Sequence, residues 1–351
     1  MKYYDISNEK ISIYGMNSSF ERIPKEVAAS TSKCVLNEYN MTAGCRIRFS
    51  TNTIFLNIRA NIICHRGIGF DLYRVEEGKE YFSTGFRRPD CFICNGEFEA
   101  SSKVSDGTKM ICYTINFPYA TKMTKFEIGI DDDASLSFGL PYYNEKPVVF
   151  YGSSITHGAW ASRPGTTYES LISQKYNINY YNLGFSGGAK GEKEIVDYMA
   201  NLDMCAFVCD YDHNAYDFNL LKSTHLPMYQ AIRSRHPDIP YVIITRPNYF
   251  ADPANNDKRN TVFMATYNYA IKNGDKNVWY IDGKTLFDGE YYHNCTKDGC
   301  HPNDIGFYRM SKVIGNILAK ALHIESDKHD LRKEGNVFVG DGRVAELVDC
   351  L

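Results

Sequence analysis

Ser154 follows a short apolar run, Val148-Val149-Phe150-Tyr151, and is hemmed by Gly152, Ser153 and Gly158. Such a run reads as a buried strand, and the small residues after it let a hydroxyl emerge at the strand's carboxyl end. A serine hydroxyl is a weak nucleophile at neutral pH. It needs a base within hydrogen-bond reach, and the base needs a third group to fix its tautomer. Far downstream, Asp298-Gly299-Cys300-His301-Pro302 supplies both. On one turn, Asp298 can meet Nδ1 of His301 while Nε2 faces Ser154. The competing role for Asp298 is a cap on the helix that follows. The Ser, Asp, His order occurs in several serine hydrolases, but Gly-Ser-Ser-Ile-Thr lacks the last glycine of the Gly-x-Ser-x-Gly elbow, which argues against an ordinary α/β-hydrolase.

Two further strand-end clusters carry donors. Asn182-Leu183-Gly184-Phe185-Ser186-Gly187-Gly188 has glycines that let backbone N–H groups approach a ligand. Asp210-Tyr211-Asp212-His213-Asn214-Ala215 places a side-chain amide after another strand. The N–H groups of Ser154 and Gly187 with the Asn214 amide would form a three-donor oxyanion hole, each donor contributing roughly 3 kcal/mol in a transition state. The competing roles are a turn glycine for Gly187 and a helix cap for Asn214. His157 is too local to act as the base, and a loop or helix-surface role is expected for it.

The elements that position these groups fall into two patterns. Residues from about 10 to 140 alternate apolar and polar, as in 45–50, 53–59, 110–117 and 125–130, with turn clusters between them and no amphipathic helix. That pattern predicts an antiparallel β-sandwich, jelly-roll-like, over 1–145. After Pro141 strands and helices alternate. Strands are expected at 148–151, 179–182, 204–210, 240–245 and 277–282, and helices near 167–176, 191–200, 217–235, 256–272 and 303–322. An α/β domain over 146–323 follows, a parallel sheet between helix layers with ligands at the carboxyl ends of its strands. The tail, 324–351, turns β-like at its centre and is expected to add a strand to the sandwich or to a neighbouring subunit of a homo-oligomer.

Composition narrows the classes. The 351 residues are 44% hydrophobic and 23% charged, as in an ordinary globular protein, and the net charge of −3 argues against binding nucleic acid through phosphate neutralisation. No apolar run approaches the roughly 18 residues of a membrane span, and the amino terminus has no signal-peptide core, so the expected location is the cytoplasm. The 11 cysteines are read as free thiols. Cys91-Phe92-Ile93-Cys94 has no second ligand pair and is followed by the hairpin signal Asn95-Gly96, so no metal is expected there.

The four blocks resemble those of the SGNH (GDSL-type) hydrolase superfamily, which supply Ser, Gly, Asn and His in that order. By position Ser154, Gly187, Asn214 and the Asp298–His301 pair match them. Gly69-Phe70-Asp71-Leu72-Tyr73 resembles the Gly-x-Asp-Leu-Tyr motif of an amino-terminal β-sandwich found ahead of some SGNH esterases. The resemblance implies a flavodoxin-like three-layer catalytic domain and an esterase without a cofactor. It includes carbohydrate esterases that remove O-acetyl groups from polysaccharide fragments. Two departures stand out. Ser153 replaces the aspartate that usually precedes the nucleophile, and His213 and Ala215 flank Asn214 where the block usually reads Gly-x-Asn-Asp.

The expected activity is a serine esterase acting on acetylated oligosaccharides such as mannan or xylan fragments. Trp160, Arg163, Tyr168, His213 and Arg246 are the candidate substrate contacts. A lipid or thioester hydrolase of the same superfamily and a non-catalytic carbohydrate-binding protein are the alternatives.

Overall fold

The computed structural model describes residues 1–64, 69–87 and 95–324. Cys91 and Cys94, and all of the tail beyond Ile324, lie outside the described residues. The amino-terminal half contains β1 (Lys2–Asp5), β2 (Ser12–Tyr14), β3 (Arg46–Thr51), β4 (Phe55–Cys64), β5 (Phe70–Glu76), β6 (Lys79–Phe86), β7 (Asn95–Lys103), β8 (Ile111–Asn116), β9 (Thr121–Ile130) and β10 (Leu136–Phe138). One antiparallel sheet runs β1-β9-β4-β7. The other runs β10-β3-β8-β5-β6, with β2 beside β3. Alternate residues of both sheets meet in one core. At its centre Phe70, Phe98, Phe117 and Phe126 pack with ring centroids 4.6 to 5.5 Å apart.

Two short helices interrupt the region read from sequence as purely β, α1 (Lys25–Ala29) and α2 (Lys33–Glu38). Each is under two turns, too short to show an amphipathic period. The signal for α2 is its cap: Ser32 Oγ accepts the N–H of Val35.

The second half is an α/β layer structure. Five parallel strands, β11 (Val148–Gly152), β12 (Tyr180–Gly184), β13 (Ala206–Asp210), β14 (Tyr241–Ile244) and β15 (Val278–Ile281), lie in the order β12-β11-β13-β14-β15. The helices are α3 (Ser154–His157), α4 (Tyr168–Tyr176), α5 (Lys193–Ala200), α6 (Phe218–Arg235), α7 (Pro253–Lys272) and α8 (Asp304–Ala321). Val149 and Tyr151 join the core beneath α5, α6 and α7, whereas Val148 and Phe150 join the core beneath α4 and α8. Burial on both faces explains the unbroken apolar run in β11. This is the flavodoxin-like order, whose ligand crevice opens at the carboxyl ends of β11 and its neighbours. Among the described residues no helix is long and apolar enough to cross a membrane.

Strand β12 is an edge, so its outward carbonyls need donors. Buried guanidiniums from the other half supply them. Arg22 Nη1 donates to the carbonyls of Asn182 (3.0 Å) and Gly184 (2.9 Å), and Arg46 Nη1 donates to that of Tyr180 (3.1 Å). Arg22 also donates to the carbonyls of Met41 and Glu38, which ties α2 to the same point. Arg48 bonds Asn177 Oδ1 (3.0 Å) and Leu140 O (3.1 Å) and forms a buried ion pair with Glu80 at 2.5 Å.

The Gly-x-Asp-Leu-Tyr segment is a second seam, and strand alternation explains it. Phe70 and Leu72 point into the sandwich core. Asp71 and Tyr73 point the other way. Asp71 Oδ2 accepts the N–H of Gly165 (3.0 Å) and Arg163 Nη1 (3.3 Å), and the Tyr73 hydroxyl accepts from Arg163 Nη1 (2.8 Å). A Cβ on Gly165 would collide with the Tyr73 ring, so the approach requires glycine there.

Under α3, Asp210 closes β13 with a fully buried carboxyl that receives Thr156 Oγ1 (3.1 Å) and Tyr168 OH (3.3 Å). Burial raises its pKa to about 7, against these two hydrogen bonds.

Two outcomes follow. Arg22→Met should leave the buried carbonyls of Met41 and Asn182 without donors and lower stability by about 3 kcal/mol. The urea midpoint should fall at constant slope, and a loss under about 0.5 kcal/mol would refute the edge-capping role. Between about pH 4 and pH 7 the folded protein holds a proton on Asp210 that the unfolded chain has released, so stability drops as pH rises through that window. Asp210→Asn should remove up to about 4 kcal/mol of that decline. Denaturation midpoints at pH 4 and pH 8 measure it, and equal pH dependence of the two proteins rules it out.

Candidate active site

The candidate nucleophile is positioned by β11 and a one-turn helix. Ser153 is extended and its Oγ accepts the N–H of Ile155 at 3.1 Å, capping α3. Ser and Asp are equivalent caps, which accounts for the departure at this position. Ser154 is the first residue of α3, and its Oγ lies 2.8 Å from His301 Nε2. His301 Nδ1 lies 2.8 Å from Asp298 Oδ2. The other carboxylate oxygen, Oδ1, accepts the backbone N–H groups of His301 (2.8 Å) and Cys300 (3.0 Å). Partial burial raises the Asp298 pKa. The hydrogen bonds from the His301 backbone and ring and from Cys300 overcome that and hold it at about 2. An ionised Asp298 keeps the hydrogen on Nδ1 and leaves Nε2 to accept from Ser154. The cap of α8 is Asn303, which accepts from Ile305 and Gly306, so Asp298 is not spent on that helix.

The loop is closed at its base. Lys297 N–H donates to His301 O (2.9 Å), and Thr296 pairs with Pro302. Asn248 Nδ2 donates to Gly299 O at 2.6 Å from the neighbouring strand-end loop.

The three candidate oxyanion donors are also placed by strand ends. Gly187 follows β12 with φ +70°, which a side chain would strain. Asn214 Oδ1 accepts the N–H of Ala189 at 3.2 Å, which orients the amide and turns Nδ2 the other way. Asp217, not Asn214, caps α6. Among the described residues no acceptor pairs with Ser154 N–H, Gly187 N–H or Asn214 Nδ2.

The other sequence candidates divide. Trp160 stands exposed with its backbone N–H on the Tyr119 hydroxyl (3.3 Å), and the Lys297 ammonium lies 5.4 Å from its ring centroid, one residue from Asp298. His213 touches the Asp298–His301 loop through Cys300 Sγ at 3.5 Å. Burial, aided by Arg246, His301 and Arg259, lowers its imidazole pKa to about 3, so it is neutral. Two candidates are corrected. Tyr168 is fully buried against Phe150 with its hydroxyl on Thr156 and Asp210, out of reach of a substrate. Arg163 is held by Asp71 and Tyr73 and lies 4.0 Å over the Phe82 ring, so it is an inter-domain residue. Arg246 is engaged as well: its Nη2 donates to Asp212 O (3.1 Å), and Nε sits 3.3 Å from the Asp212 carboxylate. His157 is buried rather than on a surface, with Nδ1 3.1 Å from Gly184 O.

Sequence reasoning missed three groups. Arg259 of α7 is buried and threads under the Asn214 loop, donating to Asp212 Oδ1 (2.6 Å) and to the carbonyls of Asp212 (3.0 Å) and Ala215 (2.6 Å). Glu38 of α2 accepts the N–H of Ser186 at 2.7 Å. Exposed rings cluster on the strand-end loops: Tyr216 after β13, Phe250 after β14, and Tyr291 and Tyr292 after β15. Phe250 and Tyr292 pack 5.4 Å apart. A run of loop aromatics on the ligand-binding face of a parallel sheet was the available signal. Among the described residues no cluster of three or more His, Cys, Asp or Glu could hold a metal.

Residues 145–319 match the GDSL-like lipase/acylhydrolase family, and residues 1–136 match the N-terminus of SGNH-hydrolase-type esterases. No curated protein matches significantly. Among solved structures, a GDSL-like lipase from Bacteroides ovatus shares 26% identity and aligns with TM-score 0.80 over 93% of this chain and 99% of that one. A salicylyl-acyltransferase of a tetracycline biosynthetic pathway aligns at 17% identity and TM-score 0.75, over 93% and 100%. An acetyl xylan esterase from the rumen bacterium Butyrivibrio proteoclasticus aligns at 13% identity and TM-score 0.56, also over 93% and 100%. The last two are likenesses of fold. With the four blocks in order at strand ends and both halves matched, the chain belongs to the GDSL-like lipase/acylhydrolase family, its catalytic half preceded by the amino-terminal domain of SGNH-type esterases.

Proposed function

We propose that this protein is a serine esterase that removes O-acetyl groups from acetylated carbohydrate, such as mannan or xylan fragments. The observation that carries the reading is the continuous line from Ser154 Oγ through His301 to Asp298, with 2.8 Å at each link. Ser154 attacks the acetyl carbonyl as His301 Nε2 takes its proton. Asp298 stabilises the imidazolium. The carbonyl oxygen, now an anion, is held by Ser154 N–H, Gly187 N–H and Asn214 Nδ2. Collapse expels the sugar hydroxyl, which takes the proton from His301. Water then repeats the sequence on the acetyl-enzyme and releases acetate.

The rim supports a sugar over a long acyl chain. Tyr216, Tyr291, Tyr292 and Trp160 present apolar ring faces with polar edges, and Phe250 adds an apolar face, as pyranose recognition needs. Among the described residues of the catalytic half, the only large aliphatic side chain counted as exposed is Ile305. A lipid groove would need a contiguous apolar surface instead. The fold is also that of an acetyl xylan esterase.

Ser154→Ala should lower kcat on 4-nitrophenyl acetate by at least about 1,000-fold while the protein stays folded. Wild-type protein should release acetate from acetylated mannan or xylan oligosaccharides and should prefer acetyl over octanoyl esters. An octanoyl preference would indicate the lipid or thioester reading. Glycan binding without turnover would indicate a carbohydrate-binding protein.

A further inference from the structure

The half of the molecule that holds neither nucleophile nor base reaches the oxyanion loop. Helix α2 ends at Glu38, whose Oε2 accepts the Ser186 N–H at 2.7 Å. The same oxygen lies 3.4 Å from His157 Nδ1, in the helix that begins with Ser154. Glu38 is itself held in place, because its carbonyl accepts Arg22 Nη2 at 2.9 Å and Met41 N–H at 3.0 Å. Arg22 in turn grips the carbonyls of Asn182 and Gly184, the strand that leads into the loop.

The turn from Phe185 to Gly188 has few other restraints. Phe185 N–H bonds Gly152 O at 2.9 Å, and Gly188 N–H bonds Phe185 O at 3.0 Å. Between them Gly187 has no side chain, and a Cβ placed on it would meet only Cys34 Sγ and Tyr216 OH, both 3.8 Å away. Among the described residues the Glu38 carboxylate is the one side-chain acceptor on the N–H groups of 185–188. An oxyanion donor works only if it is fixed before charge develops, since a donor that must reorganise loses its advantage. A charged acceptor holds a backbone N–H about twice as strongly as a neutral one. The negative charge that Glu38 brings is met by the buried Arg22 guanidinium beside it.

We propose that Glu38, supplied by the β-sandwich half, is a positioning residue for the oxyanion donors: it pins Ser186 and thereby the Gly187 N–H. This rests on the esterase reading above and names a device that the reading does not require. It makes the active site a product of both halves.

The test compares wild type with Glu38→Ala, Glu38→Gln and Glu38→Asp on 4-nitrophenyl acetate, with rates normalised to serine titrated by a fluorophosphonate. Glu38→Ala should lower kcat per titrated serine roughly 10- to 100-fold with KM within about twofold. Binding of phenylboronic acid, which forms a tetrahedral adduct on an active serine, should weaken by the same factor. Glu38→Gln keeps an acceptor and should recover to within about threefold of wild type. Glu38→Asp withdraws the carboxylate by one methylene and should fall between, which keeps the test open if the alanine variant does not fold. A purely structural role would lower the amount of titratable serine and leave kcat per site unchanged. That result, or a glutamine variant as impaired as alanine, overturns the proposal. Wild-type protein that neither turns over esters nor reacts with the fluorophosphonate would instead overturn the esterase reading itself.

Discussion

The catalytic sheet has an open edge, and the molecule is organised around closing it. A row of strand carbonyls facing outward must find donors or water, and a neighbouring strand of the same protein is the usual answer. Here the donors are arginines. The planar fork of a guanidinium can serve two carbonyls on alternate residues, which a lysine cannot do with the same geometry. Arg22 does this for Asn182 and Gly184 while Arg46 serves Tyr180, and the sandwich becomes the sixth element of the sheet in all but backbone. The seam continues through Asp71 and Tyr73, which hold the turn at Gly165 just before α4. A polar seam of buried charge has strict geometric demands, because a misplaced guanidinium leaves both its own N–H groups and the carbonyls unsatisfied. It therefore sets the relation of the two halves more sharply than apolar packing would.

That constraint propagates to chemistry because the strand being capped is the one that delivers Gly187. The proposed nucleophile and base are held differently. Ser154 depends on a one-turn helix whose cap is a serine, and His301 depends on a loop folded around one carboxylate that accepts from both its ring and its backbone. Each of those is a local solution, made within a few residues of the functional group. The oxyanion loop has no comparable local solution, since glycines give close approach at the cost of restraint. Restraint arrives from outside, through Asn214, Arg259 and the sandwich half.

This division explains what was legible in the sequence. The runs in β11, β13 and β14 are continuous because both faces are buried, and they could be placed within two residues. Asp217 caps its helix where the sequence suggests. Asp298 and His301, three residues apart, could be paired by spacing, whereas Ser154, 147 residues from His301, could be joined to them only through the order of the blocks at strand ends. Glu38 and Arg22 carry no such motif: nothing in the six-residue helix α2, or in the bend before α1 where Arg22 lies, signals partners 148 and 160 residues away. Tyr168 and Arg163 were misread for a physical reason. A tyrosine with a satisfied hydroxyl is as suited to a core as to a sugar, and an arginine stacked on a ring and paired to an acid is as suited to a seam as to a substrate.

Chemistry and specificity thus sit on different supports. The reacting groups are anchored to strand ends, short caps and the inter-domain seam, where displacement is resisted by many coupled hydrogen bonds. The exposed rings of Tyr216, Phe250, Tyr291 and Tyr292 sit on loop tips, anchored through backbone conformation and each other. Asn248 and Tyr291 hold left-handed backbones that only their loops enforce, and these are the residues that turn the chain toward the rim rings. On the proposed reading, exchange of a rim ring would alter what is grasped without disturbing the Ser154–His301–Asp298 line. A change at the seam has the opposite effect, because it reaches the oxyanion donors without touching any surface a substrate meets. On the proposed reading the sandwich half belongs to the catalytic apparatus by way of the edge strand.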